Sequence, residues 1–178
     1  MHYAEIKDFD VANGEGVRIS LFVSGCTLHC PGCFNEVAWD FCAGKEFTRE
    51  VEDRILTMLE PGYISGLSVL GGEPVEPSNQ EALVPFLRRV RDAYPQKSIW
   101  MYTGRLYDVD LQPCGSVYTE HTDALLDLVD VLVDGPFVAA QKDPSLAFRG
   151  SANQRVIDLK ETRRTGVVTL YNLTSRQM

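Results

Sequence analysis

Residues 17–33 read VRISLFVSGCTLHCPGC. β-Branched and aromatic residues dominate the first part, and the run follows the turn-forming Asn13-Gly14-Glu15-Gly16, so residues 17–24 are expected to form a strand. Cys26, Cys30 and Cys33 come directly after its carboxyl end. Outward from there the chain alternates. Thr48 can cap a helix carrying Val51, Ile55, Met58 and Leu59 at helical spacing, ending at Pro61-Gly62. Residues 66–70 form a short strand that stops at Gly71-Gly72-Glu73-Pro74. Ser78-Asn79-Gln80-Glu81 has capping-box spacing ahead of Leu83, Phe86, Leu87, Val90 and Tyr94, with Pro85 expected to kink this helix or delay its start. Residues 98–103 and 130–134 read as further strands, 119–129 as a helix and 105–118 as a loop. Such alternation implies parallel pairing and an α/β class. Ligands of parallel α/β sheets gather outside the carboxyl ends of the strands. The cysteines, Gly71 to Pro74, Thr103-Gly104 and Asp134-Gly135 all fall at such ends.

Composition narrows the partners. The chain has 178 residues, 44% of them hydrophobic, which fits one domain with a sizeable core. Seventeen basic residues against 25 acidic ones give a net charge of -8, the wrong sign for a protein that gains affinity by neutralising phosphates, so no nucleic-acid partner is expected. The acidic start MHYAEIKDFD lacks the basic and apolar regions of a secretory signal, and residues 126–133 are interrupted by Asp127 and Asp130. No membrane span is expected, and the reading is cytoplasmic.

Five cysteines cannot all pair internally, and in a reducing compartment a tight group more often binds metal or does chemistry. Cys26, Cys30 and Cys33 can wrap one soft metal centre, with Pro31 and Gly32 allowing the turn between the last two. Structural zinc and an all-cysteine 4Fe-4S cluster each want four protein ligands, so three local thiolates leave one position open for a substrate. Three other readings stand beside this one: zinc completed by His29, an electron-transfer cluster completed by Cys42, and reduced thiols without metal.

Cys26-x3-Cys30-x2-Cys33 resembles the signature of the radical S-adenosylmethionine superfamily, and Gly71-Gly72-Glu73-Pro74 resembles its second motif. Further matches lie at Asn13 to Arg18, Phe22 to Cys26, Cys30 to Asn35, Leu132 to Phe137 and Phe148 to Arg155. The whole pattern, over roughly residues 5–158, resembles the activating proteins of the anaerobic (class III) ribonucleoside-triphosphate reductases. The chain is shorter than the roughly 250 residues of a full eight-unit barrel, and the architecture expected from the resemblance is an open, partial (β/α) barrel of the radical SAM type. Residues 1–160 would form this domain and residues 161–178 an extension that adds an edge strand or stays mobile.

The resemblance implies a 4Fe-4S cluster held by Cys26, Cys30 and Cys33, with S-adenosylmethionine on the fourth iron. Reductive cleavage would give methionine and a 5'-deoxyadenosyl radical, which takes a hydrogen from a glycine Cα in the reductase. Implied partners are the glycyl radical subunit of that reductase and a low-potential electron donor such as flavodoxin. Gly71 and Gly72 would let the backbone approach the methionine amino group. Glu73 would fix the loop or meet that amino group, and Gly32, Cys33 and Phe34 would border the adenine. Thr103 and Asp134 sit where ribose or methionine contacts would fall, and residues 149–155 would shape the site or meet the reductase. Trp39, Phe41 and Phe47 would shield the cluster or pack in the core, while Cys42 and Cys114 are taken as spectators. Other members of the superfamily, a pyruvate formate-lyase type activase or a 7-carboxy-7-deazaguanine synthase, would share the cysteines. A zinc or iron-sulfur binding module is the reading from another class.

Overall fold

The computed structural model describes residues 1–33 and 35–173. Its strands are β1 (His2–Asp10), β2 (Val17–Val23), β3 (Lys45–Glu46), β4 (Ile64–Gly71), β5 (Ser98–Tyr102), β6 (Val131–Asp134) and β7 (Arg155–Asp158). The helices are α1 (Arg49–Leu59), α2 (Pro77–Ala93), α3 (Thr122–Leu128) and α4 (Leu159–Thr165), with single 3-10 turns at Glu36–Trp39 and Ala139–Gln141. The described strands form one mixed sheet in the order β3-β1-β2-β4-β5-β6-β7.

The parallel centre follows from the connections. β2, β4, β5 and β6 pair parallel in sequence order, and α1, α2 and α3 carry the chain back between them. The wholly parallel sheet expected from the alternation needs correction at its margins, where β1, β3 and β7 add antiparallel. β1 escapes a periodicity reading because most of its residues stay in solvent contact, as suits a strand near a sheet margin. β7 is four residues long and α4 seven, too short to leave a period. Beyond α4 the chain does return along β7: Tyr171 N–H donates to the Val156 carbonyl (2.8 Å), and Leu170 bridges to Ile157.

α2 also corrects an expectation. It begins at Pro77 and runs through Pro85 to Ala93 without a break. Proline at the first helical position costs nothing, because that N–H has no partner inside a helix. Pro85 and Glu81, whose carbonyl the ring displaces, both lie on the exposed face where water can serve that oxygen. Leu83, Phe86, Leu87 and Val90 on the other side are fully buried and hold the helix to the core.

The two sheet faces have different fates. Ile19, Leu21, Val23, Leu67, Val69, Ile99, Met101, Leu132 and Ile157 face the helices and form the main core. Alternate residues Arg18, Ser68, Leu70, Trp100 and Tyr102 turn to the second face, as the two-residue period requires. There Trp100, Val131, Val133 and Val156 cluster beneath Phe148 and Tyr171. Arg18 is wholly buried on this face and spends its donors on Ser68 Oγ (2.7 Å), Ser98 Oγ (2.9 Å) and the carbonyls of Glu15, Leu67 and Ser98. Burial lowers its pKa to about 10, and its guanidinium lies over Trp100.

Candidate active site at the strand ends

A cavity of about 400 Å³ opens at the carboxyl ends of the parallel strands. Such a volume lies within the range of small-molecule sites. Cys26, Cys30 and Cys33 line it after β2, Leu70 to Glu73 at the end of β4, Tyr102 to Gly104 at the end of β5, and Gly135 after β6. Ala12 and Asn13 close it from the loop before β2. The Asn13 carbonyl accepts a hydrogen bond from Ser68 Oγ (2.5 Å).

The cysteine loop is held by its neighbours. Gly25 N–H donates to the Ala38 carbonyl (2.8 Å), Cys26 N–H to Trp39 (3.2 Å), and Glu73 N–H to the Gly25 carbonyl (2.8 Å). Cys26 is buried, and Cys30 and Cys33 are half-buried. Burial pushes the Cys26 and Cys30 thiols up, partly offset by backbone hydrogen bonds from Leu28 at Cys26 and Phe137 at Cys30. Asn35 N–H donates to Cys33 Sγ (3.4 Å). Among the described residues no three His, Cys, Asp or Glu side chains gather closely enough to hold a single metal ion. Three thiols around one cavity, met by backbone N–H groups, suit a group with several metal atoms and anionic sulfurs. The His29 ring packs against Trp39 at 4.6 Å between centroids and is not part of the cavity wall.

The glycine pair has a steric reason. A Cβ on Gly72 would sit 2.6 Å from the Gly25 carbonyl oxygen and 2.9 Å from that of Ala38. Gly71 has φ +113, so neither position takes a side chain without moving backbone. Gly32 turns the loop at φ +77 but lies exposed and is not part of the cavity wall. The expectation for Phe34 lies outside the described residues.

Glu73 fixes the loops. It is fully buried, and its carboxylate accepts hydrogen bonds from Gly104 N–H (2.9 Å) and Val75 N–H (3.2 Å), joining the ends of β4 and β5. Burial raises its pKa to about 7, against the pull of the Thr103 hydroxyl and these amides. Asp134 departs from the expectation of a ligand contact. It is wholly buried and absent from the cavity wall, with its oxygens taken by Arg155 Nε (2.9 Å), an Arg155 terminal nitrogen (2.5 Å) and Tyr107 N–H (2.8 Å).

The polar run 149–155 shapes the site. Gln154 donates to the Gly135 carbonyl (3.0 Å) and Asn153 to that of Pro136 (2.7 Å), which sets Phe148, Arg149 and Gly150 as one wall of the cavity. The three aromatics after the cluster loop divide. Trp39 lines the cavity, Phe41 covers Gly25, and Phe47 packs edge-on against Tyr3 and Phe86. Cys42 and Cys114 are exposed and outside the cavity wall. Sequence reasoning missed Thr27, Glu76 and Arg105, which brace the cysteine loop. The available signal was a second acid three positions after Glu73 in the same strand-end turn.

Residues 12–157 match the family described as a 4Fe-4S single cluster domain. The chain is 45% identical over 157 residues to an anaerobic ribonucleoside-triphosphate reductase-activating protein of Haemophilus influenzae, covering 86% of this chain and 96% of that one. It is 40% identical over 162 residues to the protein of the same name from Escherichia coli K12, covering 90% and 100%. The protein of that name from Enterobacteria phage T4 is 34% identical over 156 residues, covering 88% and 93%. No described helix is long and apolar enough to cross a membrane.

Proposed function

Because this chain belongs to the family of anaerobic ribonucleoside-triphosphate reductase-activating proteins with a 4Fe-4S domain, we propose that it is a radical S-adenosylmethionine enzyme generating a glycyl radical in that reductase. The observation that carries this reading is the meeting of Cys26, Cys30, Cys33 and the Gly71-Gly72-Glu73 turn on one cavity. In this reading the three cysteines hold a 4Fe-4S cluster and leave its fourth iron to S-adenosylmethionine. When bound and reduced by an external donor, the cluster would supply the electron for cleaving S-adenosylmethionine to methionine and a 5'-deoxyadenosyl radical, the species that would remove a hydrogen from a glycine Cα of the reductase.

The chain's own work is binding, orientation and shielding. Gly71 and Gly72 bring backbone to the cavity edge where a side chain would collide with the Val23 backbone in the first case and with Gly25 and Ala38 in the second. Glu73 ties the β4 and β5 ends together by accepting the Gly104 N–H bond. Leu28, Trp39, Leu70, Phe137, Leu146 and Phe148 give the cavity an apolar lining that limits water and stray hydrogen donors. Cys33 is read as bordering the adenine, a role also assigned to Phe34 and Gly32 from the motif alone. No general acid or base is required by this chemistry.

The sheet is read as an open partial (β/α) barrel. Helices on one face and a cavity on the other support this. The catalytic unit is placed at residues 1–160, with 161–178 as an extension, and the site of action in the cytoplasm. A low-potential carrier such as flavodoxin is the proposed electron source. The relatives' names favour the ribonucleotide reductase as partner over a pyruvate formate-lyase or a deazaguanine precursor. Incubating the reduced chain anaerobically with the reductase and S-adenosylmethionine tests the assignment: a glycyl radical signal on the reductase is expected, and its absence while S-adenosylmethionine is cleaved would assign another substrate.

A further inference from the structure

Thr27 follows Cys26 and lies exposed, so packing does little to fix it. Its bonds are polar. The backbone N–H of Thr27 donates to Glu76 Oε1 at 2.8 Å, and its hydroxyl donates to the same oxygen at 2.6 Å. The hydroxyl in turn accepts from an Arg105 terminal nitrogen at 2.9 Å, and that nitrogen lies 3.8 Å from Glu76 Oε1. Glu76 is only 3% exposed, and a carboxylate so buried is tolerated only when hydrogen-bonded or paired. Three strand-end segments therefore meet at one hydroxyl: the cysteine loop after β2, the turn after β4 and the turn after β5.

We propose that Glu76, with Thr27 and Arg105, is a positioning site that sets the cysteine loop in place before any cluster is loaded. Upstream, residues 24–26 are strapped by Asn79 and by backbone bonds to Ala38 and Trp39. Farther on, Cys33 N–H bonds to the Cys30 carbonyl (3.1 Å), within the loop itself. Glu76 thus acts at the junction, fixing the direction in which the segment carrying Cys30 and Cys33 leaves the sheet. The role for cluster retention rests on the functional reading above; the role in holding the loop does not.

The test uses the full chain in two states. In the metal-free chain, amide hydrogen exchange over residues 27–33 is expected to rise on the order of tenfold in Glu76→Ala, the loss of a charge-assisted bond. Glu76→Gln keeps an acceptor oxygen for both Thr27 donors and is expected to stay near the unaltered chain. In the anaerobically loaded chain, a chelator should strip iron on the order of tenfold faster from Glu76→Ala, with Glu76→Gln again restoring retention. Unchanged exchange in Glu76→Ala, or Gln behaving like Ala, would overturn the proposal. If Glu76→Ala does not fold, Thr27→Val against Thr27→Ser decides, with faster exchange expected only in Val and equal exchange in both overturning it. A chain that takes up no cluster would defeat the functional reading, and the exchange comparison would still decide the positioning role.

Discussion

Five thiols share this chain but not one environment. Cys26, Cys30 and Cys33 border the strand-end cavity, whereas Cys42 and Cys114 are exposed away from it. Replacing any of the first three by alanine is expected to abolish cluster binding, measured as iron and sulfide per chain; Cys42→Ala and Cys114→Ala should retain it. Loss of the cluster in Cys42→Ala would point to a four-thiolate centre. Glu73 carries a second prediction. Burial raises its pKa from 4.5 to about 7, so the folded chain binds this proton more tightly than the unfolded one. Its contribution is therefore fully present below about pH 4.5 and lost as the pH rises through 7, a swing on the order of 3 kcal/mol. Denaturant midpoints of the metal-free chain should fall between about pH 5 and pH 8, and Glu73→Gln should flatten this component. An equally steep profile in Glu73→Gln would assign the effect to other groups. The cysteines and the glycine pair were legible because their chemistry and spacing are local. Glu76 and Arg105 were not, since what they do depends on Thr27, 49 and 78 positions away.

At the level of elements, the β6–β7 pairing carries one buried ion pair beside its backbone ladder. Asp134 is wholly buried, faces Arg155 in the strand register and is bound by it through two nitrogens, while Arg155 also reaches Asp108 (2.8 Å). Removing one partner of such a pair leaves an uncompensated buried charge, so Arg155→Ala should cost about 3 kcal/mol in unfolding free energy. Arg155→Lys should recover only part of this, because lysine cannot make the bidentate contact. A loss below about 1 kcal/mol in Arg155→Ala would show that β7 is held by its backbone ladder and Val156 and Ile157 instead. From the sequence, Asp134 looked like a candidate for ligand contact because it ends a strand in the right place. Only the antiparallel return of β7, a strand of four residues, reveals its partner. The central strands were legible for the opposite reason: they are largely buried on both faces and rich in β-branched, aromatic and other apolar residues.

For the whole molecule, the division of labour between the two sheet faces links fold to proposed chemistry. Helices bury one face in the main core, and the other leaves room at the strand ends for a cavity walled by loops from β2, β4, β5 and the 148–154 segment. The alternation of strands and helices made that end of the sheet predictable, but not the antiparallel strands that widen it. The central claim is reductive cleavage of S-adenosylmethionine at a cluster held by three cysteines. It is tested most directly by loading the chain anaerobically with iron and sulfide, reducing it with dithionite, adding S-adenosylmethionine and quantifying 5'-deoxyadenosine and methionine alongside the cluster's paramagnetic resonance. The account predicts both products in equal amounts and a cluster signal that shifts on adding S-adenosylmethionine. A reduced cluster indifferent to S-adenosylmethionine with no deoxyadenosine formed, or a single zinc in place of the cluster, would contradict it.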